Sequence, residues 1–256
     1  MASEPAIEVR LIGPPQADGE YVGLRPGDGE DEEIVHLHDY TRIYAIPGLY
    51  EHIVQDLLAC RSPQVAAEAL ARTLPLAALD PARIVLLDLG AGTGLVGELA
   101  GELGFAAVVG IDLLPAARDA ALRDRPGAYR DYLVGDLADP HADLLTRLRG
   151  HRPGALVAAG ALGGTHMPPV ALENALELLP SGAPVVLTID ERWTQTDAPG
   201  GFRTPLARLL ASGRLQLFER SRFRHRVTTT GEAVTYELIA GVSLARSTSG
   251  GPLPRL

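Results

Sequence analysis

The sequence predicts an α/β fold: a doubly wound, mainly parallel sheet of seven strands with an antiparallel C-terminal pair, preceded by a helical lid. Three observations predict it. The stretch Ile84-Val85-Leu86-Leu87-Asp88-Leu89-Gly90-Ala91-Gly92-Thr93-Gly94 reads as a buried strand running into a glycine turn that opens a helix. From there to Ile189, short apolar runs alternate with helical segments, the pattern of a parallel sheet with right-handed crossovers. The last quarter alternates with period two, as paired antiparallel strands do.

A chain of 256 residues can bury one large α/β core with an N-terminal elaboration. A hydrophobic share of 46% with 21% charged residues describes a soluble globular protein. The net charge of −9 argues against a general nucleic-acid or anionic-membrane surface, because such binding neutralises phosphates with cations. Cys60 is the single cysteine, so no intrachain disulfide and no cysteine metal cage is expected, and no metal. The start has neither a basic region nor an apolar run, and no segment reaches membrane-spanning length. A cytoplasmic protein with no membrane partner is expected; a monomer and a homodimer both stay open.

Residues 1–35 contain the alternating runs Ile7–Leu11 and Tyr21–Leu24, divided by Pro14-Pro15 and followed by the acids Asp28 to Glu33. They predict a small hairpin or an irregular arm. Residues 36–80 predict the lid: His36, His38, Tyr40, Tyr44, Tyr50 and His52 crowd a stretch that otherwise looks helical. Tyr40 and Tyr44 stand at i, i+4 and would share one helix face. Helices are expected at roughly 48–60 and 63–73, the second with Ser62 as N-cap and Pro63 at its first position.

Residues 81–246 predict the main domain, with a loose tail over 247–256. Gly90, Gly92 and Gly94 allow a sharp turn and close approach of a ligand to the main chain, beside the free N–H groups of a helix start. Gly92-Thr93-Gly94-Leu95-Val96-Gly97 is also a literal GxGxxG of the dinucleotide type, although Asp88 stands where such sites have an apolar residue. The next strand, Ala106 to Ile111, ends at Asp112, placed to bind both hydroxyls of a ribose. Tyr132-Leu133-Val134 is a third strand, and Asp139-Pro140 starts a helix through Leu148. The fourth strand, Ala155 to Ala159, ends in a small-residue run leading to His166. A helix from Val170 to Leu179 and a strand from Val185 to Ile189 follow, then a loop from Asp190 to Thr204 with Trp193. In the closing pair, Arg220, Arg222, Arg224 and Arg226 share one parity, which predicts an exposed sheet face partly balanced by Glu219 and Glu237.

Taken together, DLGAGTG from Asp88, GIDLLPAA from Gly110 and YLVGDLAD from Tyr132 resemble the first three motifs of class I S-adenosylmethionine-dependent methyltransferases of the small-molecule type, over roughly residues 83–189. The resemblance implies a Rossmann-like fold, S-adenosylmethionine as cofactor and S-adenosylhomocysteine as product. It further implies that Asp88 holds the methionine amine, that Gly90, Ala91, Gly92 and Gly94 pack against methionine and ribose, and that Asp112 binds the ribose hydroxyls. Leu113 would lie against the adenine, Asp136 would read its amino group with Leu137 contributing backbone, Ala159 would flank the methyl group, and Tyr44 would belong to the lid over the cofactor. This chain departs from the family where the lid lacks the usual Tyr-Asp pair, with Tyr50-Glu51 a loose substitute, and where Gly154 and Ala155 replace an acid early in the fourth strand.

His166 is the candidate general acid/base, because an imidazole titrates near neutrality. His38, Tyr40 and Trp193 are the candidate acceptor contacts, Trp193 as a stacking face or as simple packing. The expected activity is methyl transfer to a small molecule, in specialised metabolism. An NAD(P)-dependent oxidoreductase using the GxGxxG, and a protein that binds S-adenosylmethionine without methylating, are the alternatives.

Overall fold

The computed structural model describes residues 7–13, 19–27 and 31–245. Pro14-Pro15, the acids Asp28 to Glu30 and the tail expected over 247–256 lie outside the described residues. The chain begins with a sheet of three antiparallel strands in the order β1 (Glu8–Ile12), β2 (Tyr21–Arg25), β3 (Glu33–His36). This corrects the hairpin or irregular arm expected there. The third strand forms because Val22, Leu24 and Val35 can bury together against Ile43, Leu49 and Ile53 of the lid, which a bare hairpin would leave wet.

The lid follows as α1 (Tyr40–Tyr44) and α2 (Leu49–Glu51), which widens into a π-helical turn over His52–Leu57. Asp39 caps α1 by accepting from the Arg42 N–H at 3.1 Å. Helix α3 (Ser62–Leu76) runs past the expected end near residue 73, with Pro75 in its last turn. Ser62 is not its cap: Arg61 holds that position, and the Ser62 hydroxyl turns instead to His225 Nδ1, 2.7 Å away.

The main sheet has seven strands, β4 (Val85–Leu89), β5 (Ala107–Asp112), β6 (Asp131–Val134), β7 (Ala155–Leu162), β8 (Ala183–Asp190), β9 (Leu215–Val227) and β10 (Ala233–Ser243). Their order is β6-β5-β4-β7-β8-β10-β9, parallel as far as β8, with β10 antiparallel to both of its neighbours. This is the Rossmann-like arrangement with its antiparallel closing pair. The remaining helices are α4 (Leu95–Glu102), α5 (Pro115–Asp124), α6 (Ala142–His151), α7 (Pro169–Leu176), α8 (Glu191–Thr194) and α9 (Arg203–Ala211). Helices α3, α4 and α5 bury Leu70, Val96 and Ala117 on one face; α6, α7 and α9 bury Leu148, Leu172 and Leu206 on the other.

Two expectations need adjusting here. His141, not Asp139, caps α6, its Nδ1 accepting from the Leu144 N–H at 3.2 Å. The loop expected from Asp190 to Thr204 contains α8 and the start of α9, whose Leu206 and Leu209 are buried one turn apart.

Period two decides where side chains go. Along β4, Leu86 packs into the first layer and Leu87 and Leu89 into the second, so Asp88 shares the face of Leu86. Along β9 a register shift opposite Val234 and Thr235 makes His225 the extra residue of a bulge. The bulge breaks the arginine stripe. Arg220 pairs with Glu237 at 2.6 Å, Arg222 with Glu191, and Arg224 is exposed. Arg226 instead turns inward, its side chain 13% exposed and paired with Glu20 of the N-terminal sheet region at 2.5 Å.

Candidate active site

The C-terminal ends of β4, β5 and β7, the loop after β6 and the lid enclose a cavity of about 600 Å³. Gly90 opens the turn after β4 at φ +74°, and a Cβ there would stand 2.3 Å from the Ala161 Cβ, so only glycine lets β7 lie so close. The Gly90 and Ala91 N–H groups donate to the Ile111 carbonyl at 2.9 and 3.1 Å, which locks the turn to the end of β5. Asp112 stands at that end. One of its oxygens accepts from the Gly92 N–H and the other from the Leu114 N–H, both at 3.0 Å. Burial raises its pKa against those bonds, and each oxygen keeps a lone pair for a ligand hydroxyl.

Gly90, Ala91, Gly92, Asp112, Leu113, Asp136, Leu137, Ala159 and Tyr44 all line this cavity. Leu113 is 59% exposed, an apolar platform at its edge. Asp136 accepts from the Ala138 N–H at 2.7 Å, which aligns the loop after β6. Two residues expected at the cofactor do not line the cavity. Asp88 lies beneath the turn, 1% exposed, accepting from the Tyr129 hydroxyl at 2.7 Å, because its place on β4 points it into the α4 and α5 layer. Its burial pushes its pKa up to about 7. Gly94 also lies off the cavity wall, turning the chain into α4. The last glycine of the GxGxxG serves packing rather than a diphosphate, since a Cβ at Gly97 would come within 2.5 Å of the Tyr129 ring.

A second carboxylate, Glu51, lines the cavity beside the glycine turn. One oxygen of Glu51 accepts from the Thr93 hydroxyl at 2.5 Å and from Arg125 at 2.7 Å. Its other oxygen is buried, on the cavity wall, with no partner. A carboxylate left half-satisfied beside the glycine turn suits a cationic ligand group.

The outer half of the cavity is made chiefly of rings, with the charged side chains of Arg226 and Asp39 among them. The Tyr40 hydroxyl and His166 Nε2 are 2.9 Å apart, and His38 packs edge-on to His166 with centroids 5.2 Å apart. Both histidines sit at the mouth, where solvent reaches them. Desolvation and the neighbouring positive groups nevertheless hold both below the ordinary imidazole range, while burial pushes the Tyr40 phenol up to about 12. His225, deeper and 7% exposed, is lowered to about 3 by desolvation first and Arg226 second. Trp193 is not part of this wall: it packs on Gly163 and Gly164, where a Cβ would meet its ring at 2.9 and 2.7 Å. Among the described residues, no group of three or more His, Cys, Asp or Glu could hold a metal, and no helix is long and apolar enough to cross a membrane.

Sequence reasoning missed His225, Arg226, Ser62 and Gln55 as cavity residues. Ser62 reads as a helix cap, Gln55 as one polar residue of the lid helix, and the bulge that turns Arg226 inward has no glycine or proline to announce it.

A family model described as a methyltransferase domain matches residues 59–237. No curated protein sequence matches the chain. The fold is similar to that of the N-methyltransferase NodS from Bradyrhizobium japonicum, solved with S-adenosylhomocysteine, at 15% identity, TM-score 0.56, covering 81% of this chain and 97% of that one. It is similar also to a SAM-dependent methyltransferase from Anabaena variabilis, at 12% identity, TM-score 0.55, covering 82% and 95%. The Haloferax volcanii methyltransferase solved with its Trm112 activator gives 16% identity and TM-score 0.55, covering 81% and 98%. With that family model spanning most of its length, the chain belongs to the methyltransferase-domain family and is an S-adenosylmethionine-dependent methyltransferase.

Proposed function

We propose that this methyltransferase acts on a small organic acceptor, held in the outer half of the cavity while the cofactor fills the inner half. One observation carries the reading: Asp112, the glycine turn, Tyr40, His38 and His166 all line one cavity of about 600 Å³. Asp112 takes the ribose hydroxyls on its two half-used oxygens. Leu113 supports the adenine, with Asp136 and the Leu137 backbone at its polar edge. Gly90, Ala91 and Gly92 admit the methionine portion, Ala159 flanks the methyl group, the free oxygen of Glu51 takes the ammonium, and Tyr44 roofs the site.

Bound S-adenosylmethionine supplies an electrophilic methyl carbon. The protein's part is to align the acceptor and exclude water, which can lower a barrier by about 7–11 kcal/mol in favourable cases. His166 is the acid/base group, a contribution of roughly 10²–10⁴-fold where the acceptor must lose a proton. A small acceptor is supported by the roofed chamber and by a net charge of −9, which repels nucleic acid. We place the activity in specialised metabolism and in a reducing cytoplasm, in keeping with the free buried thiol of Cys60.

The test is equilibrium binding of S-adenosylmethionine, S-adenosylhomocysteine and NADP(H) to the parent and to Asp112→Ala. The adenosyl pair is expected to bind, NADP(H) to fail, and Asp112→Ala to weaken binding at least ~10-fold, as the loss of two hydrogen bonds to a charged acceptor should. Unchanged affinity in Asp112→Ala would refute the site. A screen of small acceptors against bulk RNA and protein then decides the acceptor class.

A further inference from the structure

Resting on that reading, we infer that the acceptor is an uncharged, planar aromatic compound with a free hydroxyl, bound against two ring pairs with its hydroxyl on the Tyr40–His166 pair. The ring pairs come from separate parts of the fold and line the same cavity. On the lid, His38 and Tyr40 stack with centroids 5.7 Å apart and planes 28° from parallel. On the closing strands, His225 and Tyr236 stack at 3.8 Å and 16°. Flat rings select a flat ligand. The second pair is also fixed in place: the Ser62 hydroxyl meets His225 Nδ1 at 2.7 Å, and the Cys60 sulfur lies 3.7 Å from the same nitrogen.

Charge narrows the class. Arg226 is the cation of this half, and Glu20 answers it with two hydrogen bonds, at 2.9 and 2.5 Å. The Asp39 carboxylate, at the exposed edge, caps α1 through one of its oxygens. Asp112, Asp136 and Glu51 belong to the cofactor half. A carboxylate acceptor would therefore enter without a free counter-ion, and an ammonium would find only the solvent-exposed Asp39, so a charged acceptor costs more to bury than a neutral one. Gln55 adds a buried Oε1 without a partner on the same wall, an acceptor suited to a ligand that donates an O–H.

The hydroxyl proton has a defined route. The Tyr40 hydroxyl and His166 Nε2 stand 2.9 Å apart, so in the tautomer that carries its proton on Nδ1 the Nε2 atom accepts from the Tyr40 hydroxyl. As the acceptor O–H breaks, its proton passes to the Tyr40 oxygen and the Tyr40 proton passes to Nε2. The products of the step are an acceptor oxyanion, an intact Tyr40 phenol and a His166 imidazolium. Desolvation holds the His166 pKa down and Arg226 adds to that, while the Asp190 carboxylate favours the imidazolium.

The experiment uses the protein saturated with S-adenosylhomocysteine and three probes of one shape: 2-naphthol, 2-methoxynaphthalene and 2-naphthoate. We expect 2-naphthol to bind at least ~10-fold more tightly than either of the others. Tyr40→Phe keeps the ring and removes the hydroxyl; it and His166→Gln should each bring 2-naphthol to the level of 2-methoxynaphthalene, with S-adenosylhomocysteine affinity within about twofold of the parent. Equal binding of the three probes, a preference for 2-naphthoate, or naphthol affinity indifferent to Tyr40→Phe overturns the inference while leaving the methyltransferase reading intact. Failure of the parent to bind S-adenosylhomocysteine overturns both.

Discussion

Asp88 holds its carboxyl beneath the glycine turn, on the Tyr129 hydroxyl. Its carboxyl is 1% exposed, and desolvation, with Asp112 adding a like charge, raises its pKa to about 7 despite the hydrogen bond from Tyr129. The unfolded chain has an ordinary carboxyl, so between about pH 4 and 7 the folded protein binds the extra proton. The stability this proton supplies is complete below the unfolded pKa and is lost as pH rises to about 7. Asp88→Asn removes that loss while keeping an oxygen for the Tyr129 hydroxyl. Its stability relative to the parent should therefore climb from pH 4 to 7 and then level off, with an upper bound on the order of 4 kcal/mol. Urea denaturation at pH 4.5, 6 and 8 checks this; a difference independent of pH would show that the carboxyl is not buried in this way.

At the scale of elements, the lid is held to the cofactor half by side-chain ties from the glycine turn and α5. Glu51 joins Thr93 of the glycine turn to Arg125 at the end of α5, with the two charged side chains 15% and 10% exposed. Arg123 adds bonds to the carbonyls of Tyr44 and Ala45, at 3.0 and 3.4 Å. Arg125→Met should free residues 49–57 from the turn, because removing one partner of a buried pair costs up to about 3–5 kcal/mol and this pair keeps some solvent. Amide exchange across 49–57 should quicken more than across β4 or β5, and S-adenosylhomocysteine should restore less of the protection than it does in the parent. Uniform exchange in both regions would mean that the Glu51 tie is not local. That tie was only half legible beforehand, and the reason is general. The strands β4, β5 and β6 and the placing of Asp112 and Asp136 followed from local patterns: apolar runs, glycines and acids at strand ends. The role of Glu51 depends on where the lid folds over, as the inward turn of Arg226 depends on an unmarked bulge. The motif sets Asp88 beside the ligand, whereas the alternation of its own strand, with Leu86 on the same face, points it toward the α4 and α5 layer.

At the scale of the whole molecule, the outer half of the cavity exists only when three parts meet: the N-terminal sheet, the lid, and the β9–β10 pair. Glu20 reaches Arg226, the Arg61 N–H donates to the His225 carbonyl at 2.7 Å, and Ser62 holds the His225 ring. His225 is thus the point where closure is most exposed to acid. Its pKa falls from the ordinary 6.5 to about 3 in the folded state, so below pH 6.5 the unfolded chain binds the extra proton and stability is lost as pH drops. By pH 5 the loss from this residue is about 2 kcal/mol. Asp88 works in the opposite direction over the same range, gaining its proton in the folded state as pH falls from about 7 to 4. The parent should therefore have a flatter profile between pH 4.5 and 6.5 than either single variant. Asp88→Asn, left with His225, should weaken steadily as the solution is acidified; His225→Gln, left with Asp88, should hold or strengthen. Chemical denaturation of the three proteins across that range decides it, and parallel profiles would mean that neither group is buried in its uncharged form.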